Sequence, residues 1–228
     1  MISRPTPRAL APAGAVLLAT ALLAACGTSG ASDTADGGAT SSAPTTDDAA
    51  STPTSTAYTT FTADNCGFDV DVEAAPERIV TIKSAMTDLV LALGAGDRLV
   101  ATAYPDSPPV DTADAELVAS LPVLADRVPT NEAVLSVEPD LVLAGWESNF
   151  SADGAGERSA LTDLGVATFV APSACTQAPY LPDPLTFQDV FDEVTQVGDL
   201  LGESEAAREL VAEQTAALEE LRNERAGA

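Results

Sequence analysis

The sequence predicts an α/β fold built on a parallel sheet. Three observations predict it. Short runs at 79–82, 141–145 and 166–170 are apolar on both faces, as strands buried between two helical layers are. Stretches with apolar residues at helical spacing separate them, giving βαβ units with right-handed crossovers. Hydrophobic residues make up 46% of the chain but aromatic residues only 4%, so the core is built from Ala, Val and Leu, unlike that of an aromatic-rich sandwich.

Taken in order, Phe68-Asp69-Val70-Asp71-Val72 alternates apolar and acidic residues, the pattern of a half-exposed edge strand or hairpin. Ile79-Val80-Thr81-Ile82 follows as a buried strand. Met86 to Leu93 has helical spacing and ends at Gly94, a C-cap residue. The next strand spans 99–103 and runs into a loop rich in Pro and Asp. Thr130 is placed as an N-cap, with Ala133, Val134 and Val137 at helical spacing behind it. Glu138-Pro139-Asp140 breaks that helix and feeds the strand at 141–145. A helix from Glu157 to Leu164, closed by Gly165, leads to the strand at 166–170. The remainder is helical: Phe187, Val190, Phe191, Val194 and Val197 form one apolar stripe up to Gly202. A second, more charged helix runs over 206–225, with Leu210, Ala217, Leu218 and Leu221 as its apolar side.

The N-terminus reads as an address. Arg4 and Arg8 precede an apolar run too short for a membrane span, the pattern of a signal peptide over 1–25. Leu23-Ala24-Ala25-Cys26 resembles a bacterial lipobox, which implies cleavage before Cys26 and diacylglycerol on its thiol. An ordinary secretory peptide with an incidental cysteine is the alternative. Residues 26–60 are nearly all Gly, Ser, Thr, Ala, Asp and Pro. Such a segment cannot bury enough apolar surface to offset its ordering entropy and reads as a tether. The folded lobe is expected over 61–185 and a helical segment over 186–228.

Charge and composition exclude several functions. The formal charge of −25 repels phosphate backbones, and no basic stripe overrides it, so no nucleic acid is expected. With no histidine, serine–histidine and cysteine–histidine catalysis and imidazole zinc sites are excluded. No spaced Asp/Asn/Gly loop of the EF-hand kind occurs, and no metal or cofactor is expected. With Cys26 lipidated, Cys66 and Cys175 are left as a pair that an extracytoplasmic location permits to form a disulfide; two free buried thiols are the alternative.

The runs PERIVTI, LGAGDRLVATAYP, NEAVLSVEPDLVLAGW and ERSALTDLGVATFVAP, in that order, resemble class III periplasmic binding proteins. The resemblance implies a two-lobe solute-binding protein that serves an ABC importer for siderophores, cobalamin or related compounds. NCGFDV, TIKS, AGWESN and LPDPLTFQDVF are similar to a subgroup for a deazaflavin coenzyme precursor, coenzyme F-420 lacking its glutamate tail. On this pattern the chain holds the N-terminal α/β lobe and the start of the inter-lobe helix. The second lobe is missing, and a truncated chain is expected. The resemblance further implies a monomer, ABC permease subunits as partners, and an exposed glutamate that docks on permease arginines. Glu157 sits at that place; a helix N-terminal acid favoured by the dipole is the alternative.

In an open parallel sheet, ligands gather at the carboxyl ends of the strands. Four loops meet that description: Lys83-Ser84, Tyr104-Pro105-Asp106, Trp146-Glu147-Ser148-Asn149, and the stretch Pro172 to Cys175 that holds Ser173. Arg127 borders the same rim. Lys83 is the only lysine and suits a phosphate or carboxylate; a solvated surface lysine is the alternative. Trp146 is the only tryptophan and suits stacking on a planar ring system; ordinary packing is the alternative. Binding without chemistry is the expected function. Two readings compete with it: a hydrolase using carboxylates such as Asp106 and Glu147, and a structural lipoprotein.

Overall fold

The structure, a computed structural model, describes residues 58–181 and 183–227. The expected signal peptide, Cys26 and residues 26–57 of the expected tether lie outside the described residues.

The described residues open with a hairpin of β1 (Phe61–Asn65) and β2 (Phe68–Val72), paired antiparallel. Its two-residue turn is Cys66-Gly67, both at positive φ (56° and 78°), as the tightest hairpin turns require. A four-stranded parallel sheet follows, with β3 (Ile79–Ile82), β4 (Leu99–Ala103), β5 (Leu141–Ala144) and β6 (Ala167–Val170) in spatial order β4-β3-β5-β6. Every residue of β3 and β5 is buried, which accounts for their lack of a polar side. From β3 the chain moves out to β4, then returns across β3 to β5 and on to β6. The connections therefore leave in opposite directions at the β3–β5 boundary, and ligands collect at such a switch point.

Alternate residues of the strands feed two cores. Ile79, Leu141, Leu143 and Phe169 face one side, with Met86 and Val90 of α1 (Ser84–Ala92), the hairpin's Phe61, Val70 and Val72, and Val197, Leu200 and Leu201 of α5 (Phe187–Leu201). Val80, Ile82, Val142, Ala144 and Val170 face the other. They pack with Val134 of α3 (Asn131–Leu135), Leu161 of α4 (Arg158–Asp163) and Phe150. The Cys66–Cys175 disulfide lies in this second core, with Cα atoms 5.3 Å apart. It ties the hairpin turn to the loop after β6, as expected from the cysteine count.

Local signals hold where they were read. Thr130 Oγ1 accepts the Ala133 N–H at 3.3 Å to cap α3, and Gly94 follows α1 at φ 78°. The Pro- and Asp-rich loop after β4 contains more order than expected. It holds α2 (Ala115–Ser120), and 122–125 then lies along β4, where the Thr102 N–H donates to the Pro122 carbonyl and the Tyr104 N–H to that of Ala125. The proline and aspartate content hid this stretch, because its order comes from pairing with β4.

The apolar stripe of α5 is not uniformly a core face. Val197, Leu200 and Leu201 are buried, but Phe187 is 59% exposed and Val190 is exposed as well. In α6 (Ser204–Ala226) Ala207 alone is buried, and Leu221 stands exposed. Gly198 permits the corner between the two helices: a Cβ there would lie 2.3 Å from that of Ala207. Tyr58, placed in the tether by composition, donates its hydroxyl to the Leu200 carbonyl at 3.0 Å, so the folded region begins before residue 61.

Candidate ligand-binding site

The carboxyl ends of β3, β4 and β5 bring Lys83, Ser84, Tyr104 and Trp146 together. Lys83 follows β3 and precedes α1 with φ 85° and ψ 140°, and Tyr104 follows β4 at φ 53°. Positive φ on non-glycine residues costs roughly 1–3 kcal/mol each and clusters at functional sites. Gly145 makes room for the lysine: a Cβ there would lie 3.0 Å from Lys83 Cβ and Cγ.

The Lys83 ammonium is not free. It pairs with the Asp106 carboxylate and lies 3.7 Å from the Trp146 ring centroid and 4.4 Å from that of Tyr104. The two rings meet edge to face, 5.9 Å apart at 81°, the arrangement that aromatic quadrupoles favour. Asp106 is held in turn. Its Oδ1 accepts the Ser84 N–H at 3.1 Å, and the Ser84 hydroxyl accepts the N–H groups of Asp106 and Ser107 while donating to the Ser107 carbonyl. The hydrogen bond from Lys83 is the main reason that the Asp106 carboxyl titrates below its ordinary value.

Trp146 keeps 46% of its surface exposed. Its backbone is fixed by a short turn, in which the Trp146 N–H donates to Asn149 Oδ1 at 3.1 Å. Arg127, exposed, places its guanidinium 6.0 Å from the Tyr104 ring centroid, and among the described residues no carboxylate pairs with it.

The remaining predicted residues have other partners. Glu147 turns toward the loop after β6, where it accepts the Thr176 N–H and hydroxyl at 2.8 and 2.6 Å and the Gln177 amide at 3.1 Å. The Thr176 hydroxyl is the first cause of its lowered pKa. Ser148 is exposed, and Asn149 is buried within the turn. Ser173 donates its N–H to Glu193 of α5 at 3.3 Å; burial raises the pKa of that glutamate. Glu157 stands exposed at the N-terminal boundary of α4 without a side-chain bond to the helix, and its Oε1 accepts the Ala152 N–H of the preceding loop at 2.9 Å.

Sequence reasoning missed two groups. Asp106 was legible as a loop acid, yet nothing local shows that it reaches back to Lys83. Arg158 and Asn65 were missed altogether. Arg158 donates to the Asn65 carbonyl and side chain and to the Thr168 hydroxyl and carbonyl, and stacks 4.4 Å from the Phe68 ring centroid. Burial lowers its pKa to about 10, so it is charged at neutral pH.

The rim is an open shelf. Cavities of about 350 and 900 Å³ lie elsewhere, beside β2 and at the α5–α6 corner, and none of the predicted site residues lines them. Among the described residues no group of three His, Cys, Asp or Glu side chains gathers to hold a metal ion.

With the parallel sheet, its switch point and this rim in view, comparison with known proteins is decisive. The periplasmic binding protein family model matches residues 79–227, well over half of the chain. The chain belongs to the periplasmic binding protein family. It is 28% identical over 143 residues to YvrC of Bacillus subtilis, an uncharacterised ABC transporter substrate-binding lipoprotein, covering 63% of this chain and 40% of that one. A periplasmic binding protein from Veillonella parvula superposes with a TM-score of 0.61 at 23% identity, over 72% of this chain and 53% of the other. An ABC-type Fe3+-hydroxamate transport system protein from Saccharomonospora viridis superposes with a TM-score of 0.57 at 28% identity, over 67% and 52%. The chain thus spans about half the length of the relatives it matches, or less.

Proposed function

We propose that this chain is the solute-binding part of an ABC importer, held outside the cell membrane through a lipid on Cys26, and that it binds a planar organic ligand without altering it. The observation that carries this reading is the half-exposed Trp146 indole, ordered over Lys83 and against Tyr104 at the sheet's switch point. A stacking platform of fixed orientation lowers the entropy lost on binding. Arg127 beside it offers five donors to an acid group. A ring system bearing an acid suits this pair, and the deazaflavin coenzyme precursor is the favoured ligand.

A ferric hydroxamate is the second reading, favoured by the resemblance to the Saccharomonospora viridis protein; cobalamin stands behind it. Glu157, exposed at the start of α4, is proposed as the contact to the permease, and the chain is proposed to act as a monomer. The carboxylates considered for hydrolysis are engaged separately: Asp106 with Lys83, and Glu147 with Thr176 and Gln177.

Trp146 is the only tryptophan, so its fluorescence reports the site directly. Titration with the deazaflavin precursor, a ferric hydroxamate and cobalamin is expected to give saturable quenching by one of them. Arg127→Gln is expected to weaken that binding about tenfold, the loss of one charge-assisted contact. No response to any of the three removes the ligand assignment.

A further inference from the structure

The geometry points to Lys83, paired with Asp106, as a positioning residue of the rim: its charge is neutralised within the protein, and it orders Tyr104 and the Trp146 ring on which the ligand stacks. The inference deepens the ligand-binding reading and rests on it for the word ligand, but its test does not need one.

Three observations converge. The Lys83 side chain is only 10% exposed although it stands at a loop end. Its ammonium has a carboxylate on one side and two aromatic rings on others, at 3.7 and 4.4 Å. The carboxylate is itself held, because its Oδ1 accepts the Ser84 N–H while the Ser84 hydroxyl accepts the backbone N–H of Asp106. An incoming acid group would have to displace either the ring contacts or this held carboxylate. A cation shared by two rings orients both, since each prefers its electron-rich face toward the charge. Without it, Trp146 would keep a fixed backbone turn but lose the contact that sets its indole.

This arrangement restricts the ligand. A cationic group cannot use the ring faces that Lys83 already covers, and an anionic group cannot count on Lys83. What remains is the outward side of Trp146. The sequence alone suggested the opposite, an unengaged lysine that receives the ligand's acid.

The test compares wild type with Lys83→Met, Lys83→Arg and Asp106→Asn, in the ligand-free chain, by near-ultraviolet circular dichroism, Trp146 emission and calorimetric titration with inorganic phosphate. Lys83→Met is expected to lose the near-ultraviolet band of the Trp146–Tyr104 pair and to shift the emission to the red, with far-ultraviolet dichroism unchanged. Lys83→Arg, which keeps a cation, is expected to restore most of the band. Wild type is expected to show no Lys83-dependent phosphate binding, and Asp106→Asn to acquire it, since that change releases the ammonium. Unchanged spectra in Lys83→Met overturn the inference, as does phosphate binding by wild type that Lys83→Met abolishes. Should Lys83→Met fail to fold, Asp106→Asn decides: no gain in phosphate binding shows that Asp106 is not what neutralises Lys83. Failure of the organic ligands to quench Trp146 would count against the function alone, because these spectra and the phosphate titration are read without them.

Discussion

Lys83 and Arg158 both sit against a pair of aromatic rings, and they do different work. Arg158, at the outer edge of β6, stacks on Phe68 and Phe150 and donates to Asn65 and Thr168. Asn65 in turn bridges to β6, its side chain donating to the Val170 carbonyl and accepting the Val170 N–H, both at 2.8 Å. The polar groups of an open strand edge are thereby satisfied from within the chain, which removes a site for unwanted pairing. Beside this knot the Cys66–Cys175 disulfide fastens the hairpin to the same edge. Lys83, at the centre of the sheet, has the same kind of neighbours, but its indole partner faces outward with 46% of its surface exposed. The edge of the sheet is closed by its cation; at the centre the cation holds a surface open. The same pairing of charge and ring can therefore lock a fold or prepare a site, and solvent access to the ring separates the two.

The largest break in this comparison should come from the disulfide. Cys66 and Cys175 are separated by 109 residues, and closing a loop of that length stabilises by about 4–5 kcal/mol in the chain-entropy view. Cys66→Ser with Cys175→Ser should lower thermal stability by that order, measured by calorimetry. A drop below about 1 kcal/mol would mean that the edge is held by Arg158 and Asn65 alone.

Arg158→Met comes next, at about 3 kcal/mol, because it takes away the charged donor to the Asn65 and Thr168 carbonyls and leaves Asn65 Oδ1 with the Val170 N–H alone. Lys83→Met should cost less than about 1 kcal/mol, since its partner Asp106 is 38% exposed. Urea unfolding of both variants measures the contrast directly. Equal losses would erase the distinction between lock and platform.

Glu193 sharpens the comparison through pH. Burial raises its pKa, so its stabilising contribution is fully present below the unfolded value and is lost as pH rises through the higher folded value. Glu193→Gln keeps an acceptor for the Ser173 N–H and should raise stability at neutral pH but not in acid. A gain of equal size at both pH values would trace the effect to packing instead.

The smallest effect is at the rim. The Asp106 carboxyl is held below its ordinary value of 3.8. Its contribution is therefore present above that value and lost as pH falls through the folded pKa. Trp146 emission should stay constant down to about pH 4 and change only below it, as protonation of Asp106 releases Lys83. A change centred well above pH 4 would show that another group controls the indole.

Much of this was legible along the chain. The double-sided apolar strands had to lie between two packed layers, although one of them, β6, closes the sheet at its edge; Thr130 carried its own cap, and the cysteine count left one pair to join. The rim loops were also legible, because the carboxyl ends of parallel strands are fixed once strand order and direction are. The role of Lys83 was not, since Asp106 and Trp146 reach it only when β4, β3 and β5 lie side by side. Arg158 gave no signal, as its acceptors Asn65 and Thr168 stand 93 and 10 residues away. The exposed half of α5 misled the periodicity argument, which detects an apolar face but not whether anything covers it.

The sequence by itself determined the βαβ order, the buried strands and the caps, because these depend on local propensity, short-range periodicity and composition; it left the two cysteines as a candidate pair, and the fold brings them together. Only the tertiary structure decided which cation closes an edge and which one orders an exposed ring. That outcome depends on which partners the packed sheet brings within a few ångströms, and on how much water it leaves beside them.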